Sequence, residues 1–137
     1  MAVDYAYIGP TCQKIEDMMQ YADGIIDRWP PYYKYTLGEE IQKSMLAMLR
    51  LATEARLKYY SKTTLQKLDT EKEILKAFLR RANAVEFTDR KNGRRQLLND
   101  HSRYVWMDKV DEIGRLIGGW MNGLEKNRDD SGNTARR

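Results

Sequence analysis

The sequence has little of what disulfide, metal and catalytic chemistry need. One cysteine, Cys12, and one histidine, His101, occur in 137 residues. A lone cysteine cannot form a disulfide within the chain, and a structural zinc site is built from several cysteine or histidine ligands. No serine, cysteine or carboxylate pair can be matched to His101 as a catalytic partner. We therefore expect no metal, no cofactor, no catalytic residue and no enzyme activity.

Long hydrophobic runs and prolines are also scarce. No stretch approaches the roughly 20 consecutive apolar residues of a membrane-spanning helix. Residues 1–20 contain Asp4, Glu16 and Asp17 and show no secretory signal. We therefore expect a cytoplasmic protein with no membrane partner. The three prolines lie at positions 10, 30 and 31, so nothing after residue 31 forbids long helices.

Apolar residues recur at the three- and four-residue spacing of an amphipathic helix in four segments. Pro10 suits the first position of the first helix, and the Pro30-Pro31 pair stops that helix. Residues 36–39 and 63–66 match the capping box that opens a helix, and Asn99 or Asp100 suits the cap of the last one. The predicted helices cover about residues 10–29, 36–60, 63–85 and 100–126.

Short connections between such helices predict an all-α fold, an antiparallel up-down-up-down four-helix bundle. The bundle is expected over residues 1–126. Residues 127–137 contain no apolar periodicity, so we expect a disordered C-terminal tail. Residues 86–98 interrupt the helical pattern with an Asn-Gly turn signal. They predict a protruding basic loop, with a short hairpin between Phe87 and Leu97 as one form of it.

The net charge of +4 is concentrated in one part of the chain. Residues 76–103 hold eight basic and three acidic residues, whereas the segments on either side are nearly balanced. This excess indicates an anionic partner, either nucleic-acid phosphates or an acidic protein surface, and the alternative is an ordinary solvated surface. Arginine favours binding, because its guanidinium group can hold phosphate through two hydrogen bonds. The candidate binding residues are Lys76, Arg80, Arg81, Arg90, Lys91, Arg94, Arg95 and Arg103.

Two aromatic groups have two interpretations each. The first group, Tyr32, Tyr33 and Tyr35 beside Lys34, suits base stacking next to a cation, although aromatic residues at a helix junction more often cover a core. The second group, Tyr59, Tyr60 and Trp106, is expected at the bundle surface, either as a subunit interface or as ordinary partly buried residues.

Three stretches resemble a known family: residues 35–41 (YTLGEEI), 78–82 (FLRRA) and 111–120 (DEIGRLIGGW). The family contains the accessory variability determinant of diversity-generating retroelements and the proteins encoded in ribosomal RNA intervening sequences. The similarity spans about residues 10–125. Each glycine inside a helix costs about 1 kcal/mol relative to alanine, and close approach of a neighbouring helix or subunit would explain that cost. The motif residues singled out for this packing are Gly38, Gly114, Arg115, Gly118, Gly119 and Trp120.

The resemblance implies a homopentameric barrel with a positively charged exterior. In that family, the barrel binds the retroelement reverse transcriptase and the template RNA or its cDNA. It supports mutagenic reverse transcription (retrohoming), while catalysis resides in the polymerase. The alternative within the same family is an interaction protein of the intervening-sequence type, with no polymerase partner. The chain departs from the family at residues 86–98, which form a longer segment than the short turn that is usual there.

Overall fold

Helices make up most of the part of the chain that the structure describes. A computed structural model describes the backbone of residues 9–135 and the side chains of residues 9–126. The elements are α1 (Pro10–Ile26), α2 (Pro31–Lys34), α3 (Leu37–Leu57), α4 (Lys62–Ala84), β1 (Glu86–Asp89), β2 (Gly93–Gln96) and α5 (Asp100–Ala135). The expectation of a helical protein is confirmed, and the two-stranded hairpin is its one departure from all-α structure within these residues.

The four long helices share one hydrophobic core. α3 packs against α4, α4 packs against α5, and α1 contacts both α3 and α5. Most side chains in the core are those that the helical periodicity selects, because burying one apolar face of each helix is what stabilises such a fold. None of the described helices is both long and apolar enough to cross a membrane. Fully buried core residues include Ile15, Met18, Ile41, Met45, Leu68, Leu75, Val110 and Ile113.

The connection between α1 and α3 differs from the sequence prediction. α1 ends at Ile26 rather than at Trp29, because the N–H groups of Arg28 and Trp29 bond to carbonyls three residues back, at 3.2 and 3.0 Å. Trp29 is nevertheless buried. The short helix α2 was not predicted. It begins at Pro31, where the fixed φ of proline suits the first helical position.

Neither predicted capping box forms. The Thr36 hydroxyl donates to the Tyr32 carbonyl at 2.6 Å and does not cap α3. α4 begins at Lys62 after Ser61, so Thr63 lies inside the helix, and no side chain caps it. The predicted cap of the last helix is correct, because Asn99 Oδ1 accepts from the Ser102 N–H at 2.8 Å.

Residues 86–98 form the hairpin that the sequence offered as one possibility. β1 and β2 pair antiparallel with Phe87 opposite Arg95, and Gly93 closes the turn at a φ of 70°, a left-handed value that favours glycine. The Leu97 N–H then bonds to the Val85 carbonyl at 2.9 Å. The hairpin is therefore tied to the end of α4.

Two expectations about α5 change. The helix continues to Ala135 rather than ending near Lys126. The side chains of residues 127–137 lie outside the described residues, so the predicted disorder of this tail stays a prediction. Trp106 was expected at the surface but is fully buried, edge to face with Tyr21 at 6.3 Å. Its position is one helical turn before the buried Val110, whereas Tyr104 is 72% exposed.

Candidate nucleic-acid interface

Four of the eight predicted basic residues are exposed and have no ion-pair partner among the described residues. Arg80 and Arg81 lie in the last turns of α4, and Arg90 and Lys91 lie in the hairpin turn. No carboxylate of the described chain lies within 4.0 Å of their charged groups. These four residues, which we call the free basic set, can accept an anion without first breaking an internal ion pair.

The two remaining arginines of the hairpin stabilise the hairpin itself. Arg94 Nε lies 3.4 Å from Glu86 Oε2, and Arg95 Nη1 lies 3.0 Å from Asp89 Oδ2. The Arg95 guanidinium carbon also lies 5.6 Å from the centroid of the Phe87 ring, in a cation–π contact across the strand pair. Substitution of either arginine would therefore disturb the hairpin as well as any partner.

Lys76 and Arg103 differ from the free basic set, because both side chains are partly buried. Lys76 Nζ bonds to Asp111 Oδ1 at 3.2 Å and thereby joins α4 to α5. Arg103 is half-buried at the start of α5, and its Nε is shielded from solvent with no hydrogen-bond partner among the described residues. Lys76 therefore contributes to the contact between α4 and α5, and the predicted role of both residues in binding stays a prediction.

The hairpin turn is organised by Asp89. Its Oδ1 accepts from the Lys91 backbone N–H at 3.0 Å, and its Oδ2 accepts from Asn92 Nδ2 at 3.3 Å and from Arg95. The hydrogen bond from the Lys91 backbone, followed by those from Asn92 and Arg95, lowers the pKa of Asp89 below its ordinary value of 3.8. These bonds hold Arg90 and Lys91 on an ordered turn.

Acid is expected to loosen this turn. Because the pKa of Asp89 is lower in the folded turn, its carboxylate stabilises the turn above the ordinary pKa of 3.8, and this contribution is lost as the pH falls through the folded pKa. Two-dimensional NMR of the Lys91 amide should show a transition with a midpoint below 3.8. The transition should be absent in Asp89→Asn. A midpoint above the ordinary value, or an unchanged transition in the variant, would contradict this assignment.

A second network fixes the base of the hairpin to both flanking helices. Asn83 Nδ2 donates to the Leu98 carbonyl at 3.0 Å and to Asp100 Oδ1 at 2.9 Å. Gln96 Nε2 donates to the Asn83 carbonyl at 3.1 Å and to the same Asp100 oxygen at 3.2 Å. The hydrogen bonds from Asn83 and then Gln96 lower the pKa of Asp100. The second strand of the hairpin is thus held against the end of α4 and the start of α5.

A cleft of about 770 Å³ lies between this hairpin and the α2 segment, and we call it the α2–hairpin cleft. Its walls combine aromatic rings, prolines and basic side chains. Arg28 belongs to it, although the sequence analysis did not select that residue. Arg28 lies in a segment of balanced charge, and only the fold brings it to the basic hairpin. The basic and partly exposed aromatic residues of its lining are Arg28, Tyr33, Phe87, Arg90, Lys91 and Arg95.

Of the three tyrosines of residues 32–35, Tyr33 packs against the core, whereas Tyr32 and Tyr35 do not cover it. Tyr32 is 71% exposed and Tyr35 is 68% exposed. Tyr33 alone is half-buried, with its ring centroid 6.2 Å from that of Phe87 and 5.0 Å from that of Tyr32. An aromatic row therefore runs from Phe87 in the cleft to Tyr32 at the surface.

Two of the motif glycines contact other helices of the same chain. A Cβ atom at Gly38 would lie 3.0 Å from Ile26 Cγ2 and 3.2 Å from the Tyr33 carbonyl oxygen. The close approach predicted for this glycine is therefore present between the start of α3 and the end of α1. A Cβ at Gly114 would lie 3.2 Å from Lys72 Nζ, the end of a flexible side chain that can move.

The remaining motif residues lie away from the basic hairpin. Gly118 and Gly119 are exposed, and a Cβ at either would meet no described atom within 4 Å. Contact with another helix of the described chain therefore does not explain them. Arg115 and Trp120 line a cavity of about 380 Å³ beside Cys12, where α5 meets the start of α1.

Cys12 lies in the hydrophobic core. Cys12 is buried with its Sγ 3.9 Å from Thr53 Oγ1, and burial raises the pKa of its thiol, which leaves it protonated and a poor nucleophile at neutral pH. No group of three or more histidine, cysteine, aspartate or glutamate side chains is placed to hold a metal ion within the part of the chain that the structure describes.

The fold and its surface define a class of protein: a small bundle of four long helices with an ordered basic hairpin at one end. A family model described as bAvd-like matches residues 11–124. The chain belongs to this bAvd-like family, and the resemblance noted from the sequence is confirmed. Its members are accessory proteins of the accessory variability determinant type. No match was found among the curated proteins.

Proposed function

We propose that this chain is the non-catalytic accessory protein of a diversity-generating retroelement. It binds the reverse transcriptase and the template RNA or its cDNA, and it supports mutagenic reverse transcription in the cytoplasm. Membership of the bAvd-like family supports the accessory role. The observation that carries the binding role is the free basic set on α4 and the hairpin turn, Arg80, Arg81, Arg90 and Lys91.

The physical reason is that an unpaired cation on an ordered surface binds phosphate at low cost. Each phosphate contact releases condensed counterions, and this release supplies much of the affinity of basic proteins for nucleic acid. Side chains such as Arg94 and Arg95, which are already paired with Glu86 and Asp89, would have to give up those contacts first. The ordered turn around Asp89 also reduces the entropy lost on binding.

The same proposal includes an up-down-up-down arrangement of the four long helices. The start of each long helix contacts the end of a neighbouring helix, as antiparallel packing requires. The short connection between α3 and α4 supports it as well. The pairs that support it are Cys12 with Thr53, Ile26 with Gly38, Lys62 with Glu125, and Asn83 with Asp100.

We also propose that the protein assembles as a homopentamer. Gly118 and Gly119 support self-assembly, since they lower the helix propensity of α5 and no described atom of the same chain packs close to them. A neighbouring subunit would supply the close approach that the fold within one chain does not. Native mass spectrometry measures the assembly directly, and a monomeric mass at micromolar concentration would contradict it.

Charge reversal of the free basic set tests the binding function. The quadruple Arg80→Glu, Arg81→Glu, Arg90→Glu, Lys91→Glu variant is expected to bind template RNA at least about tenfold more weakly, because four phosphate contacts become repulsive. Its binding should also depend less steeply on salt, by roughly one unit of the log–log slope for each lost contact. Circular dichroism should show an unchanged helical fold, since all four side chains are exposed.

A matched control changes the same number of charges elsewhere. The control is Arg50→Glu, Arg56→Glu, Lys67→Glu, Lys126→Glu, four exposed cations outside the hairpin. It should retain most of the RNA affinity. Copurification with the neighbouring reverse transcriptase, with and without nuclease, separates protein binding from RNA binding. RNA and polymerase binding at control level in the first variant would contradict the free basic set as the binding surface. A wild-type protein that binds neither template RNA nor the reverse transcriptase would contradict the proposed function and favour an interaction protein of the intervening-sequence type.

A further inference from the structure

The α2–hairpin cleft places accessible aromatic surface next to basic groups. The rings of Tyr33 and Phe87 are both half-buried, and their planes are tilted by 47° with the centroids 6.2 Å apart. Arg95 covers part of Phe87, and Tyr32 continues the row at the solvent edge. Flat apolar rings that stay partly open to solvent can stack with a nucleobase.

The charge at the cleft is positive. Arg28, Arg90 and Lys91 line it without an ion-pair partner among the described residues. The acidic residue of the same wall is Asp89, and its oxygens are occupied by the hairpin turn and by Arg95. Across the α2 segment, Lys34 Nζ bonds to Asp27 at 3.0 Å. Arg28, Arg90 and Lys91 thus remain available for phosphates.

Such a combination selects for unpaired nucleotides. In a duplex the faces of the bases are stacked on one another, so a duplex offers only phosphates and groove edges to a protein. A single strand can turn its bases onto aromatic rings while its phosphates meet cations. An acidic peptide would use the cations but would gain little from the rings.

We propose that the α2–hairpin cleft binds single-stranded nucleic acid, with bases stacked on Tyr33 and Phe87 and phosphates held by Arg28, Arg90 and Lys91. This inference rests on the proposed nucleic-acid binding and specifies its strand form. It also gives the hairpin a role, since the hairpin carries Phe87 and two of the three cations.

Removal of one ring without any change in charge tests this proposal. Tyr33→Leu is expected to weaken binding of a single-stranded oligonucleotide of about ten nucleotides by roughly tenfold, the loss that one base–aromatic stack corresponds to. Binding of a duplex of the same length should change by less than about twofold. Fluorescence anisotropy measures both affinities, and RNA and DNA strands of one sequence show which sugar is preferred.

Two control variants separate stacking from packing. Tyr33→Phe keeps the ring and should keep the single-strand affinity. Tyr59→Leu removes a ring that is 88% exposed beyond the far end of α3, about 30 Å away, and should have no effect. Phe87→Leu provides a second loss variant, because it removes the other proposed stacking ring and leaves Tyr33 in place. A 2-aminopurine base in the strand should be quenched by the wild type and less by Tyr33→Leu.

The outcomes separate this inference from the proposed function. Wild-type single-strand binding and quenching in Tyr33→Leu and in Phe87→Leu, together with weaker binding in the charge-reversed quadruple variant, would overturn the stacking site and leave the basic interface standing. Equal losses for single strand and duplex in Tyr33→Leu would also overturn it. Wild-type binding in the charge-reversed variant would instead overturn the free basic set as the binding surface, the observation on which the proposed function rests.

Discussion

Replacement of Trp106 by alanine is expected to lower the free energy of unfolding by about 3–5 kcal/mol, the usual cost of deleting a buried indole. Trp106 is fully buried on α5 and packs edge to face against Tyr21 of α1 at 6.3 Å. Its loss would leave a cavity between the first and last helices of the bundle. Small proteins are stable by only about 5–15 kcal/mol, so this variant should be close to unfolding at physiological temperature.

Two further substitutions make this prediction specific. Tyr104→Ala removes an aromatic ring two residues earlier on the same helix, but that ring is exposed, so the expected change is within about 0.5 kcal/mol. Trp106→Phe should cost much less than Trp106→Ala, because phenylalanine fills most of the space of the indole. The indole N–H is buried with no partner among the described residues, so its removal costs no hydrogen bond in either variant. Urea denaturation followed by circular dichroism gives all three values. Similar midpoints for Trp106→Ala and Tyr104→Ala would contradict the burial.

Trp106 also shows what periodicity can and cannot predict. The segments that become helices follow from apolar spacing, because a helix of this size must bury one face. At the start of α5, however, the apolar spacing predicted Tyr104 in the core and Trp106 at the surface, and the structure reverses both positions. The choice depends on packing against Tyr21, which belongs to a distant helix.

Whether the sequence predicts a helix end depends on how local the interactions at that end are. The start of α1 follows from Pro10, whose effect on the backbone is purely local, whereas the end of α1 was predicted three residues too late and α2 was not predicted. The Asn99 cap could also be predicted from one residue. Thr36 could not, because its hydroxyl has two nearby choices, the N–H groups of α3 and the Tyr32 carbonyl, and the fold selects the second.

The candidate site was predictable in its charge and not in its geometry. Counting located the basic segment, and the Asn-Gly pair indicated the turn. Which arginines are free depends on strand register, since Arg95 reaches Asp89 only in the pairing that the hairpin adopts. Arg28 enters the cleft through tertiary structure alone. Sequence patterns therefore gave the sign of the surface, and the fold determined its shape.

Gly38 is expected to tolerate no side chain. The site of its missing Cβ lies 3.0 Å from Ile26 Cγ2 and 3.4 Å from Trp29 Cε3, both in a packed wall, and 3.2 Å from a backbone oxygen of Tyr33 that cannot easily move. Overpacking of such a site typically costs about 1–3 kcal/mol. We expect Gly38→Ala to lose about 1–2 kcal/mol of unfolding free energy, and Gly38→Leu to lose more than about 3 kcal/mol.

Gly24 provides the matched control with the opposite sign. It lies in α1, and a Cβ there would meet nothing within 4 Å among the described residues, so Gly24→Ala should gain about 0.5–1 kcal/mol from helix propensity. Thermal denaturation of the two alanine variants beside the wild type measures both changes. Because Gly38 packs under Trp29 and Tyr33, its substitution should also shift the NMR signals of the α2–hairpin cleft. A stabilised Gly38→Ala variant would show that α3 begins with more space around Gly38 than the structure gives it.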